Sequence, residues 1–114
     1  MRTLAAAPRV NGVALVSAVF PEREFDELKR LALKLTAGEP TVVLLGSQGK
    51  KGQLVFARSA DVDCDVNAIL KAACAAIGGR GGGTPAQAQG GAPDPARIPE
   101  AVALARQQVE EVLR

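Results

Sequence analysis

Twelve carboxylates, fourteen cationic side chains, two cysteines and no histidine are the groups with which this 114-residue chain could do chemistry. Without an imidazole it lacks the one side chain that ordinarily titrates near neutral pH, so a histidine-based triad or zinc site cannot be assembled from its own residues. Asp61, Asp63 and Asp65 stand at the i, i+2, i+4 spacing that opens a calcium loop. Val66, however, occupies the position where such a loop turns on glycine, and Ala72 the position of its bidentate glutamate. The triplet reads instead as a solvated turn, with Asp65 as the N-cap of a following helix. Cys64 and Cys74, ten residues apart, have no further ligands to complete a metal set and read as reduced thiols. No catalytic residue, metal site or cofactor is expected, and the chain is read as a non-enzyme.

What remains is cationic. The segment SQGKKG puts Lys50 and Lys51 in a glycine-flanked turn, where their ammonium groups can reach an anion past small neighbours; the competing reading is a plain soluble turn. The segment AIGGRGGGTPAQAQGG, 76 to 91, holds seven glycines and one charge, Arg80. It is not a P-loop, since no Lys-Ser or Lys-Thr follows the glycines, nor a dinucleotide fingerprint, which must follow a strand, whereas this one follows a helix. Its physical offer is backbone: consecutive glycines can turn N–H groups outward as an anion nest and admit close approach by a nucleotide or another chain. The alternative is a helix cap followed by a tight crossover beneath the last helix.

The elements that must hold these groups follow from the hydrophobic pattern. VNGVALVSAVF, Val10 to Phe20, is apolar on both alternating faces and predicts a strand inside a sheet. A helix is expected from Pro21, with Phe25, Leu28, Leu31, Ala32 and Leu35 as its buried stripe and Gly38 as its C-cap. TVVLLG and QLVFARS predict a hairpin around the Lys50-Lys51 turn. After Asp65, the spacing of Val66, Ile69, Leu70, Ala73 and Ile77 predicts a second helix. Pro85, Pro93 and Pro95 shape the glycine region into a loop, with a short strand hidden in AQAQ. Ile98 to Leu113 is a third helix, with Val102, Ala105, Val109 and Val112 along one face. The sum is an α/β fold, a small mixed β-sheet covered by about three helices, in a single domain over residues 1–114. A net charge of only +2 excludes a strongly basic nucleic-acid binder. No stretch reaches the ~18 apolar residues of a membrane span, so a soluble, cytoplasmic protein with no membrane partner is expected. The abrupt start reads as a cut inside a longer protein.

The run GGRGGGTPAQAQGG resembles the glycine motif of the DHH-associated domain, found at the C-terminus of alanyl-tRNA synthetases and of longer alanyl-tRNA editing proteins. Gly78, Gly79, Gly81, Gly82, Gly83, Pro85, Ala88, Gln89, Gly90 and Gly91 fall in register with it, and QLVFARSADVDCDVNAILKAACAAIGG is similar to the strand and helix that precede it. The resemblance implies an accessory domain that binds nucleic acid, with alanine-specific tRNA and the catalytic domains of a parent protein as partners. It implies contacts from Gly78, Gly79, Arg80, Gly81, Gly82, Gly83, Thr84 and Gln89, to which the turn adds Lys50 and Lys51. Three positions depart from the pattern: Thr84 stands where the synthetases often carry arginine, Ala86 where an acidic residue commonly follows the proline, and Arg80 where lysine is frequent. The alternative function is a structural or oligomerisation module, with the glycine region packed on a neighbouring domain or a second copy.

Overall fold

Every residue from Thr41 to Ser47 is buried, as a strand must be when it lies between two neighbours and is covered on both faces. The computed structural model describes residues 9–113, and this strand runs through the middle of its sheet. Strands β1 (Arg9–Val10), β2 (Val13–Phe20), β3 (Thr41–Gln48), β4 (Gly52–Arg58), β5 (Arg80–Gly83) and β6 (Gln87–Ala92) form one sheet in the order β1-β2-β3-β4-β6-β5. Only β2 and β3 are parallel. Helix α1 (Phe25–Thr36) makes the crossover between them, as a parallel pair requires. Helices α2 (Val66–Ala76) and α3 (Ile98–Leu113) cover the opposite face.

The alternation of β3 and β4 divides the core. Val42, Leu44, Leu54 and Phe56 point toward α2 and α3, while Val43, Leu45, Val55 and Ala57 point toward Leu28, Ala32 and Leu35 of α1. The expected mixed sheet with three helices is what the chain forms.

Several local expectations need correction. The run from Val10 to Phe20 is not one strand: Asn11 and Gly12, with φ of 55° and 84°, turn it back on itself as a two-residue hairpin. Helix α1 starts at Phe25 rather than Pro21. Arg23 is held outside it because its N–H donates to Ser47 Oγ at 2.8 Å and its carbonyl accepts from the same hydroxyl at 3.0 Å. The helix ends on Ala37 in right-handed geometry, so Gly38 is not its left-handed cap. Val112 lies on the solvent side of α3, 53% exposed; Ile98, Ala101, Val102, Ala105, Val109 and Leu113 face the core.

Asp65 does cap α2, its carboxylate accepting from the N–H groups of Asn67 and Ala68 at 3.0 and 3.2 Å. Asp65→Ala is therefore expected to cost about 1 kcal/mol, read as a lower midpoint in urea with an unchanged slope. Asp61 and Asp63 are exposed.

Candidate functional site

The glycine segment is a β-hairpin, not a loop. Helix α2 ends at Ala76 with Ile77 as its C-cap, and the next residue, Gly78, has a φ of 71° that suits glycine, while Gly79 N–H donates to Cys74 O at 2.7 Å. The chain then enters β5, turns through Thr84, Pro85 and Ala86, and returns as β6. Thr84 and Gln87 close the turn by exchanging backbone bonds of 2.9 and 3.2 Å. Pro85 O is clamped from two sides, by Val66 N–H at 3.0 Å and Arg58 Nε at 3.2 Å. The strand hidden in AQAQ is thus real, and longer than expected.

Neither the nest nor the tight crossover survives. A nest needs alternating right- and left-handed residues, whereas Gly81, Gly82 and Gly83 are extended strand residues and none has positive φ. At Gly81 and Gly83 glycine has a packing cause. A Cβ on Gly81 would stand 2.6 Å from Leu70 Cδ2 and 2.7 Å from both Gln89 O and Gly90 Cα. One on Gly90 would stand 2.9 Å from Cys74 Sγ. At Gly81 and Gly90 the hairpin lies so close against α2 that there is no room for a side chain.

The register decides which residues meet. Cross-strand partners share a face in a regular ladder, and the row Arg80–Gly91–Gln53 and the pair Gln89–Val55 lie on the α1 side of the sheet, because Val55 packs beneath α1; at Gly82 the edge strand is rotated, so that a Cβ there would face Lys71 and Asn67 of α2. Helix α1 packs over β3 and β4, so the flank formed by β6 and β5 lies beside it. Lys29, Leu33, Gly82, Gly83, Thr84, Gln87 and Gln89 line a groove of about 460 Å³ there. A second hollow, about 430 Å³, lies at the β3–β4 tip, lined by Glu22, Arg23, Glu24, Phe25, Gly49, Lys50, Lys51 and Gln53. Arg23 stacks on Phe20 at 4.6 Å and Lys29 on Phe25 at 5.6 Å from the ring centroids.

Of the residues singled out in the sequence, Lys50, Lys51, Arg80, Gly82, Gly83, Thr84 and Gln89 border this flank. Arg80 sits two strands from Gln53, roughly 10 Å. Among the described residues Arg80, Lys50 and Lys51 form no ion pair. Gly78, Gly79 and Gly81 are not brought to it: the first two follow the C-cap of α2, and Gly81 backs onto Leu70. Lys29, Leu33, Gln53 and Gln87 were not expected. The period of two in Gln87-Ala88-Gln89, with Ala88 buried, is the signal that could have found the glutamine.

The two thiols stay out of the site. Burial pushes the pKa of both upward; at Cys64 the Arg58 cation offsets part of this and Asp65 and Asp63 add to it. Folded thiols therefore remain protonated where unfolded ones ionise, above about pH 8.5. This stability contribution is complete below that pH and is lost as pH rises. Native-state labelling by a thiol reagent is expected to be slow at pH 7, with both cysteines reacting at once in denaturant.

A six-stranded mixed sheet, closed on one face by two helices and half-covered on the other by one, with a glycine hairpin at its edge, defines a small α/β domain. The chain belongs to the DHHA1 domain family, whose model matches residues 11–111. It is 33% identical over 116 positions to an alanine–tRNA ligase of Methanosarcina barkeri, covering 99% of this chain and 13% of that protein. Against the alanine–tRNA ligase of Geobacillus kaustophilus the identity is 32% over 108 positions, 90% of this chain and 12% of that protein. The chain thus spans about an eighth of these relatives' length. The crystal structure of the C-Ala domain from Aquifex aeolicus alanyl-tRNA synthetase superposes with a TM-score of 0.79 and 30% identity, covering 90% of this chain and 96% of that one. A DHH domain described as belonging to a family of ribosomal proteins shares the fold, with a TM-score of 0.64 and 18% identity over 89% of this chain and 26% of that one. Among the described residues no helix is long and apolar enough to cross a membrane.

Proposed function

We propose that this chain is an accessory tRNA-binding domain of a cytoplasmic protein of the alanyl-tRNA synthetase family, positioning tRNA for aminoacylation or editing by catalytic domains elsewhere in its parent. The observation that carries this reading is the flank beside α1, where the cations Arg80, Lys50 and Lys51, unpaired among the described residues, border a row of glutamine amides. Cations contact phosphates, and the amides of Gln53, Gln87 and Gln89 can bond sugar or base edges. Because β5 is extended rather than a nest, phosphate contact falls to side chains, with Arg80 the one charge in the glycine segment. Thr84 closes the turn through its backbone and hydroxyl and replaces no cation.

The test is a titration of alanine tRNA with the chain at low salt, followed by anisotropy. Binding should weaken as salt rises, with a log–log slope of about −2 to −3 for three phosphates. Arg80→Ala should lower the slope by about 1. Undetectable binding at low salt, or identical curves for Arg80→Ala and the unaltered chain, would sink the proposal.

A further inference from the structure

The outer edge of β5 has hydrogen-bonding groups that the sheet does not use. Thr84 and Gln87 exchange both backbone bonds, which fixes the phase of the ladder, since bonded and non-bonded pairs alternate in an antiparallel pair. Gly82↔Gln89 is then a bonded pair, while Gly81↔Gly90 and Gly83↔Ala88 are not. The N–H and C=O of Gly81 and of Gly83 consequently point away from β6, and both residues are exposed. The opposite edge differs: β1 is two residues long, and its Arg9 is tied to Glu39 at 2.8 Å. Edge strands are usually blunted by bulky or charged side chains, prolines or bulges; β5 carries three glycines and has only Arg80 at one end.

Donors and acceptors alternating at two-residue spacing match an extended polypeptide, which presents the complementary alternation, better than a phosphate backbone, which presents acceptors only. Two further features select the chemistry. The groove between Leu33, Lys29 and the hairpin is lined on its β5 side by Gly82 and Gly83. A Cβ of Gly82 would face α2, 3.6 Å from Lys71 Cε, which brings that lysine to the α2 side of the edge. Lys29 and Lys71 thus flank the strand, which begins with Arg80, and among the described residues no carboxylate lines the groove. We infer that the β5 edge docks an extended, acidic polypeptide segment, which adds to the sheet as a seventh strand and seats an apolar side chain against Leu33. Strand addition gives affinity through the main chain, and the groove gives selectivity at alternate residues.

The test uses the full chain, labelled with 15N, and a ten-residue peptide of alternating valine and glutamate. Saturable shifts and slowed hydrogen exchange are expected at the amides of Gly81 and Gly83, with the already bonded Gly82 amide exchanging as before. Substitution of Gly81 or Gly83 risks misfolding, so the control lies in the peptide. N-methylating one alternate set of its amides should weaken binding by about tenfold or more, while methylating the other set should leave it nearly unchanged. Equal binding of both methylated peptides, shifts mapping away from β5, or alanine tRNA moving the Gly81 and Gly83 amides that the peptide leaves unmoved would overturn the inference. So would concentration-dependent shifts at those amides without peptide, which would give the edge to a second copy of the chain.

Discussion

Gly81→Ala is expected to destabilise the fold by about 2–3 kcal/mol and to lower its melting temperature by roughly 10 °C. The added methyl meets Leu70 Cδ2 at 2.6 Å and the backbone atoms Gln89 O and Gly90 Cα at 2.7 Å. Leu70 is fully buried under the sheet and the other two belong to the paired strand, so a rotamer change cannot relieve the overlap; β5 must lift from β6 or α2 must shift. Gly82→Ala is the matched control. Its methyl meets only Lys71 Cε at 3.6 Å and Asn67 Oδ1 at 3.7 Å, ordinary contacts, so its effect should stay within about 0.5 kcal/mol. Thermal or urea unfolding of the two variants checks the contrast. The reverse order would mean that the hairpin does not lie against α2 in this register.

The second large effect concerns binding. Replacing Lys50, Lys51 and Arg80 together by alanine should weaken alanine-tRNA binding roughly 100- to 1,000-fold at low salt and leave the affinity nearly independent of salt, because each lost phosphate contact removes about one unit of log–log slope. All three side chains are exposed and, among the described residues, unpaired. The melting temperature should therefore hardly move, which separates lost contact from lost fold. The triple arginine and lysine exchange, with Arg80→Lys, Lys50→Arg and Lys51→Arg, should keep most of the affinity, since phosphate attraction follows charge while only bidentate geometry distinguishes the two.

Most of the fold was legible because most of it is written in local pattern. The stripe of Leu28, Ala32 and Leu35, the doubly apolar run of β3 and the Asp65 cap each announce their element without reference to distant residues. Glycine is a poor strand former, so nothing local marks β5; it is a strand because it pairs with β6 and fits against Leu70. The same holds for the start of α1, where a tertiary pair of bonds to Ser47 overrides Pro21 and the early carboxylates. The Asn11-Gly12 turn was legible and was masked by the apolar residues on both sides of it. Within the site, Arg80, Lys50 and Lys51 stood out as isolated cations among glycines. That they share a flank with Gln53 and Gln89 depends on the β4–β6–β5 register, a long-range pairing that no short window of sequence encodes.

The central claim is that nucleic acid meets the α1-side flank rather than the helical face. It is tested most directly by mapping backbone amide shifts and line broadening across the 15N-labelled chain as alanine tRNA is added at low salt. Perturbation is predicted at Lys50, Lys51, Gln53, Arg80, Gly82 and Gln89, with the outer surface of α3 around Leu104 and Val112 unchanged. Perturbation centred on Leu104 and Val112, with the flank silent, would contradict it.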